Sequence, residues 1–192
     1  MSDPKTVLDY YKLLKWKHLA APFVFARRGD KWIAVEGDGY DFDSPGTDWE
    51  KDRLYPVDID IANGYLEITD EGTGGGTAYT QIALFRRADN SAFAALNFFG
   101  MGIDYVEASS PKFYSWNGSA LTDITSSVFP DSLVQEKTRN RFSLPRVGTV
   151  IHYSLYKGDS TNSEHMDVAP TKDIEIPFDK VAGKFFVKPP KP

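Results

Sequence analysis

Cysteine is absent from the chain, which excludes disulfide staples, thiolate metal sites and a cysteine nucleophile together. The absence says little about compartment, because 192 residues can bury a core that needs no staples. Histidine is scarce. His18, His152 and His165 are scattered and form no His-Glu-x-x-His, so the usual zinc signatures are missing. Positive charge is also short, with 22 Lys and Arg against 27 Asp and Glu and a net charge of −5. No broad basic surface is available to neutralise phosphates, and nucleic acid is not an expected partner. No run approaches the roughly 18 apolar residues of a membrane-spanning helix, and the opening "MSDPKT" lacks the basic-then-apolar order of an export leader.

What the chain does hold is aromatic side chains, 14% of all residues within a hydrophobic fraction of 41%. That composition folds, and the length suits one domain over residues 1–192. Near the start, Asp3 and Pro4 read as an N-cap followed by proline at the first helical position. "KTVLDYYKLLKWKHL" then sets Val7, Tyr10, Tyr11, Leu14 and His18 at helical spacing. The expected helix covers about residues 4–18 and ends by Pro22.

Beyond Pro22 the period changes to two, and a β-rich body is expected over about residues 22–188, with a loose "KPPKP" tail at 189–192. "FVFARRGDKWIAVE" reads as a hairpin turning at Arg28 to Lys31, and "VDIDIANGYLEIT" as one turning at Asn63-Gly64. "YTQIALFRRADNSAFAALNFF" turns at Ala88 to Ser91, and "KFYSWNGSALTDIT" at Asn117-Gly118. Residues 82–85 and 93–98 are apolar on both strand faces, which predicts a central hairpin covered on both sides with Phe85, Leu96 and Phe98 buried. "DSLVQEKTRNRF" reads as a short helix or loop, followed by strands in "TVIHYSLYK" and "KDIEIPFDKVAGKFFVK". The fold class is α+β: a mostly antiparallel sheet built from hairpins with one N-terminal helix packed on it, all-β being the alternative.

Most short motifs have a plain structural reading. The run Gly74 to Gly76 ends in Thr77 and a period-two strand, whereas a phosphate loop must open a helix. Arg28-Gly29-Asp30 spells an adhesive tripeptide but also has the composition of a hairpin tip, and Asn117-Gly118-Ser119 matches a glycosylation acceptor already explained by turn geometry. His152 shares a strand face with Ser154, yet no Gly-x-Ser-x-Gly elbow accompanies them.

Two features point further. Residues 30–71 hold thirteen carboxylates against three bases, and within them "GDGYDFDSPGTDWEKD" lacks strand alternation. Asp38, Asp41, Asp43 and Asp48 are the candidate ligands there for a hard cation, calcium in particular. The loop departs from an EF-hand, since Pro45 and Gly46 follow Asp43 and Asp52 stands where a bidentate glutamate belongs. The second feature is a set of aromatics at or near turns: Trp49, Tyr40, Trp32 and Trp116 are candidate ligand platforms.

"TVLDYYKLL", "DIANGYLEI" and "YTQIALFRRADNSAFAALNFF" together resemble a pattern in small exported bacterial β-rich proteins of unknown function, in which a Tyr-Tyr-containing N-terminal helix precedes β-hairpins. The resemblance spans about two thirds of the chain and is carried by structural motifs, so it transfers no functional residue. It implies a periplasmic or extracellular location whose leader lies outside this chain, with a cytoplasmic location still open. Two function classes follow. One is a non-enzymatic binding or interaction module for carbohydrate or protein. The other is a hydrolase of glycans or esters, using paired carboxylates from residues 36–60 or His152 with a distant acid.

Four carboxylates within residues 38–48 repel one another, and a cation with six to eight oxygen ligands would relieve that repulsion. Calorimetric titration of chelator-treated protein is therefore expected to show heat on calcium addition, with a stability gain of about 2.7 kcal/mol at one hundred times the dissociation constant. The absence of both heat and a melting shift at millimolar calcium would refute the site.

Overall fold

The computed structural model describes residues 3–18, 23–29, 31–36, 54–70, 76–101, 110–134, 140–156 and 172–188. Helix α1 (Val7–His18) precedes eight strands: β1 (Phe23–Arg28), β2 (Lys31–Glu36), β3 (Leu54–Asp60), β4 (Tyr65–Asp70), β5 (Thr77–Arg86), β6 (Ala92–Met101), β7 (Lys112–Trp116) and β8 (Leu121–Asp123). Two single-turn helices follow, α2 (Thr125–Val128) and α3 (Asp131–Val134), then β9 (Asn140–Ser143), β10 (Val150–Leu155), β11 (Lys172–Asp179) and β12 (Lys184–Phe185). Strands β1 to β8 form one antiparallel sheet in chain order, and β12-β11-β10-β9 form a second. The antiparallel, hairpin-built architecture and the docked N-terminal helix agree with the sequence reading. The separation into two sheets was not visible in it.

The β5–β6 hairpin is the longest ladder, running from Thr77↔Met101 to Arg86↔Ala92. Apolar residues on both faces require two covers, and each is present. On one face Ile82, Ala94 and Leu96 join Val7, Tyr10, Tyr11 and Leu14 of α1 in a single buried cluster. On the other, Ala83, Phe85, Phe93 and Ala95 pack against Phe142, Ile151, Tyr153, Ile176 and Phe178 of the second sheet. Aromatic rings fill that layer, Phe85 meeting Phe185 edge-on at 4.9 Å and Phe142 meeting Tyr153 at 4.5 Å. Phe85 and Leu96 are buried as expected, but Phe98 is 49% exposed. Phe98 shares a face with Ala94 and Leu96, two residues beyond the part of β6 that clusters with α1.

Helix α1 starts at Val7, three residues later than the Asp3-Pro4 pair suggests, because Thr6 and Asp9 cap it reciprocally. Asp9 N donates to Thr6 Oγ1 (3.3 Å), while Asp9 Oδ2 accepts from Thr6 N (2.9 Å), Thr6 Oγ1 (2.9 Å) and Lys5 N (3.0 Å). Partial burial works against the Asp9 charge, but these hydrogen bonds outweigh it and hold the carboxyl below its usual range. The Tyr-Tyr pair then divides its work. Tyr10 Oη donates to Ala92 O at 2.9 Å, joining the helix to β6. Tyr11, fully buried, donates to Phe23 O at 2.5 Å, accepts from Phe23 N at 3.0 Å and stacks on Phe25 with ring centroids 4.4 Å apart. One phenol thus satisfies both main-chain groups of the residue that begins β1.

The expected hairpin turns are present. Gly29 and Gly118 take positive φ at the β1–β2 and β7–β8 turns, and Asn90 does so between β5 and β6. Asn63-Gly64 closes a longer loop than a two-residue turn, because Asp60 pairs with Tyr65 and residues 61–64 lie between them. Asp60 caps that loop by accepting from Asn63 N (3.0 Å) and Nδ2 (2.8 Å). Strand β3 changes neighbours at Pro56. Leu54, Tyr55 and Pro56 pair with β2, whereas Val57 to Asp60 pair with β4. Proline brings no N–H to a ladder.

Two stability measurements check this packing. Leu96→Ala removes a 7%-exposed side chain between α1 and the sheet and should cost about 2 to 5 kcal/mol in chemical denaturation. Tyr11→Phe keeps the ring but strands the buried N–H and C=O of Phe23, so a loss of about 1 to 3 kcal/mol is expected. A loss below roughly 0.5 kcal/mol, typical of surface substitutions, would contradict either assignment.

Candidate functional site

The change of neighbours at Pro56 opens a depression in the sheet. The β2–β3 ladder holds Val35↔Leu54, Ala34↔Tyr55 and Ile33↔Pro56 and among the described residues does not continue past Pro56, so the pairing ends before the Gly29 and Asn63-Gly64 turns. The resulting cleft has a volume of about 460 Å³ and is lined by Lys31, Trp32, Ile33, Tyr55, Pro56, Val57, Asp58 and Ile59. Side-chain alternation gives its two faces different characters. Trp32, Val57 and Ile59 are half-buried and pack on the α1-side cluster, above the buried Tyr55, whose ring meets Phe23 edge-on at 5.1 Å. Lys31, Pro56 and Asp58 are exposed and turn to the other face.

Asp58 links the cleft to a polar seam. Its carboxylate pairs with Arg146, and Arg146 Nε also reaches Asp60 Oδ2 at 3.2 Å. Hydrogen bonds from Asn63, and then the Arg146 guanidinium, hold the Asp60 carboxyl below its usual range, and the same Asp60 bond raises Arg146. Next along the same sheet face, Glu67 Oε2 accepts from Tyr65 Oη (2.7 Å) and Gln81 Nε2 (2.7 Å). Burial, followed by the bond to Glu67, raises the Tyr65 phenol far above its usual range, so it stays a neutral donor. Gln81 Oε1 accepts from Leu144 N (3.0 Å) and Asn97 Nδ2 (3.3 Å), and Asn97 Nδ2 also donates to Phe142 O (2.8 Å). These amides join β5 and β6 to β9. Asn97 Oδ1 is buried and accepts no hydrogen bond among the described residues.

The candidate aromatics are not brought together. Trp32 lines the cleft on β2, while Trp116 lies on β7, five strands away in the sheet. The Trp116 indole N–H donates to Asp3 Oδ1 at 3.0 Å, which ties the start of the chain to the β7–β8 hairpin. Tyr40 and Trp49 lie outside the described residues, as do all four candidate calcium ligands, Asp38, Asp41, Asp43 and Asp48. Among the described residues no cluster of three or more His, Asp or Glu is placed to hold a metal ion.

His152 and Ser154 do share the outer face of the second sheet, opposite Glu175 and Asp173 of β11. The arrangement is not that of an activated nucleophile, because Ser154 Oγ donates to the Asp173 carboxylate at 2.6 Å and Glu175 is engaged by Lys188 at 2.6 Å. Of the glycine run, Gly76 is described and leads into β5 at Thr77, where a phosphate loop would open a helix.

Arg146, Glu67, Tyr65, Gln81 and Asn97 were not singled out from the sequence. A signal existed for two of them, since Gln81 and Asn97 interrupt otherwise apolar strands in "YTQIALF" and "AALNFF". The chain was compared with family models, with curated proteins and with solved structures, and it matches none of them. No helix among the described residues is long and apolar enough to cross a membrane.

Proposed function

We propose that the protein is a non-enzymatic binding or interaction module that takes its ligand, carbohydrate or protein, in the β2–β3 cleft. The observation that carries this reading is the position of Trp32. Trp32 lines the cleft together with Val57 and Ile59, and the exposed, charged Lys31 and Asp58 line it as well. A half-buried ring on a paired strand offers a large apolar surface at little cost in conformational entropy, and polar groups at the rim orient what binds. For the hydrolase alternative, Ser154 is hydrogen-bonded to the Asp173 carboxylate, and most of the carboxylates of residues 36–60 lie outside the described residues. The resemblance to small exported bacterial proteins supports a periplasmic or extracellular site of action.

Panels of immobilised glycans and of short peptides, probed with the wild-type protein and with Trp32→Ala, test the reading. Binding that falls about tenfold or more in the variant is expected, the loss of one anchoring aromatic. Equal binding by both proteins would remove Trp32 from the site. Turnover of chromogenic esters or glycosides that disappears in His152→Ala would replace the module by the hydrolase.

A further inference from the structure

We infer that the cleft recognises an extended polypeptide segment, which adds as a strand to the open side of β3; this rests on the binding-module reading above. Val57 to Asp60 pair with Ile68 to Tyr65 of β4 on one side, and on the other side the β2 ladder has ended at Pro56. In an antiparallel strand successive residues aim their N–H and C=O to opposite sides, so about half of this stretch presents main-chain donors and acceptors to the cleft. A row of such groups at strand spacing is a template for another strand, and main-chain hydrogen bonds are its natural complement. A sugar offers hydroxyls without that repeat.

The walls specify the side chains. Val57 and Ile59 face the Trp32 side, and Asp58 with Lys31 faces the other. An added strand would therefore set apolar residues against Trp32 at every second position and polar or charged residues between Lys31 and the Asp58–Arg146 ion pair. Its reach is short. Pro56, where β2 and β3 close together, stops it at one end, and four residues of β3 correspond to roughly 13 Å of strand. Toward the Gly29 and residue 61–64 turns no described residue lines the end of the cleft, and Ile61, 52% exposed, follows β3 on that side.

The test is to select short random peptides displayed on phage against the wild-type protein and to synthesise the enriched sequences. Amide hydrogen exchange is then followed with and without each synthetic peptide, alongside versions N-methylated at single backbone positions. The expected result is enrichment of alternating apolar and polar residues, at least tenfold slower exchange for cleft-facing amides within Val57 to Asp60, and about a tenfold loss of affinity on N-methylation at a paired position. Neither readout needs a protein variant, so a folding defect cannot mimic failure. Peptides that bind without slowing those amides, or whose N-methylated versions all bind within about twofold of the parent, would overturn strand addition and leave the binding module standing. Trp32-dependent glycan binding with no peptide captured would overturn this inference alone. Capture of neither class would overturn both.

Discussion

The structure depends on the β5–β6 ladder, ten residue pairs long and apolar on both faces. A hairpin of that kind has no stable existence in water, because whichever face is left uncovered exposes a continuous apolar strip. Helix α1 covers one face and the β9–β12 sheet covers the other, so one ladder forms the middle of two buried clusters. Register follows from the same constraint. Gln81 and Asn97 stand opposite each other in the ladder, on the face that meets β9, where Phe142 O and Leu144 N provide their partners. A slip of one residue in either strand would turn its amide into the α1 cluster with nothing to bond it.

Distance from that ladder explains the looser geometry at the other end of the sheet. The second sheet packs over β4 to β7, through Tyr65, Phe85, Phe93 and Phe113, and among the described residues its buried cluster includes none from β1, β2 or β3. Among the described residues the outer hairpin is held instead by three ladder pairs to β3 and by α1, whose Tyr11 binds both main-chain groups of Phe23. Helix α1 therefore has two roles: it covers the central ladder and it positions the strand pair that forms one wall of the cleft. Arg146 steadies the opposite wall by bridging Asp58 and Asp60 from the segment between β9 and β10. The cleft lies where this support from the second sheet ends.

Much of this architecture was legible in the chain because its signals are local. Period-two alternation, the Asn-Gly and Gly turn positions and the helical spacing of Val7, Tyr10, Tyr11 and Leu14 each act over a few residues, and physics at that range sets hairpins and helix faces directly. The two-faced apolarity of residues 82–85 and 93–98 identified the centre of the sheet. Phe98 marks the limit of that reasoning, since the pattern shows which face a side chain takes but not how far the covering helix extends. The same limit applies to α1, where the Thr6–Asp9 exchange of hydrogen bonds set the start and the Asp3-Pro4 pair did not.

By itself, then, the sequence determined an antiparallel, hairpin-built β protein with an amphipathic N-terminal helix, and it drew attention to Trp32 as an aromatic near a turn. Tertiary structure alone decided that the strands divide into two sheets, that β3 exchanges β2 for β4 at Pro56, and that Trp32 faces the space this exchange opens while Trp116 holds Asp3. It alone brought Arg146 to Asp58 and Asp60, which are 88 and 86 residues away along the chain. The reason is one of range. Local preferences specify each strand and turn, but a site made by strands that part, or by a charge arriving from a distant loop, depends on long-range packing that no short window of sequence contains.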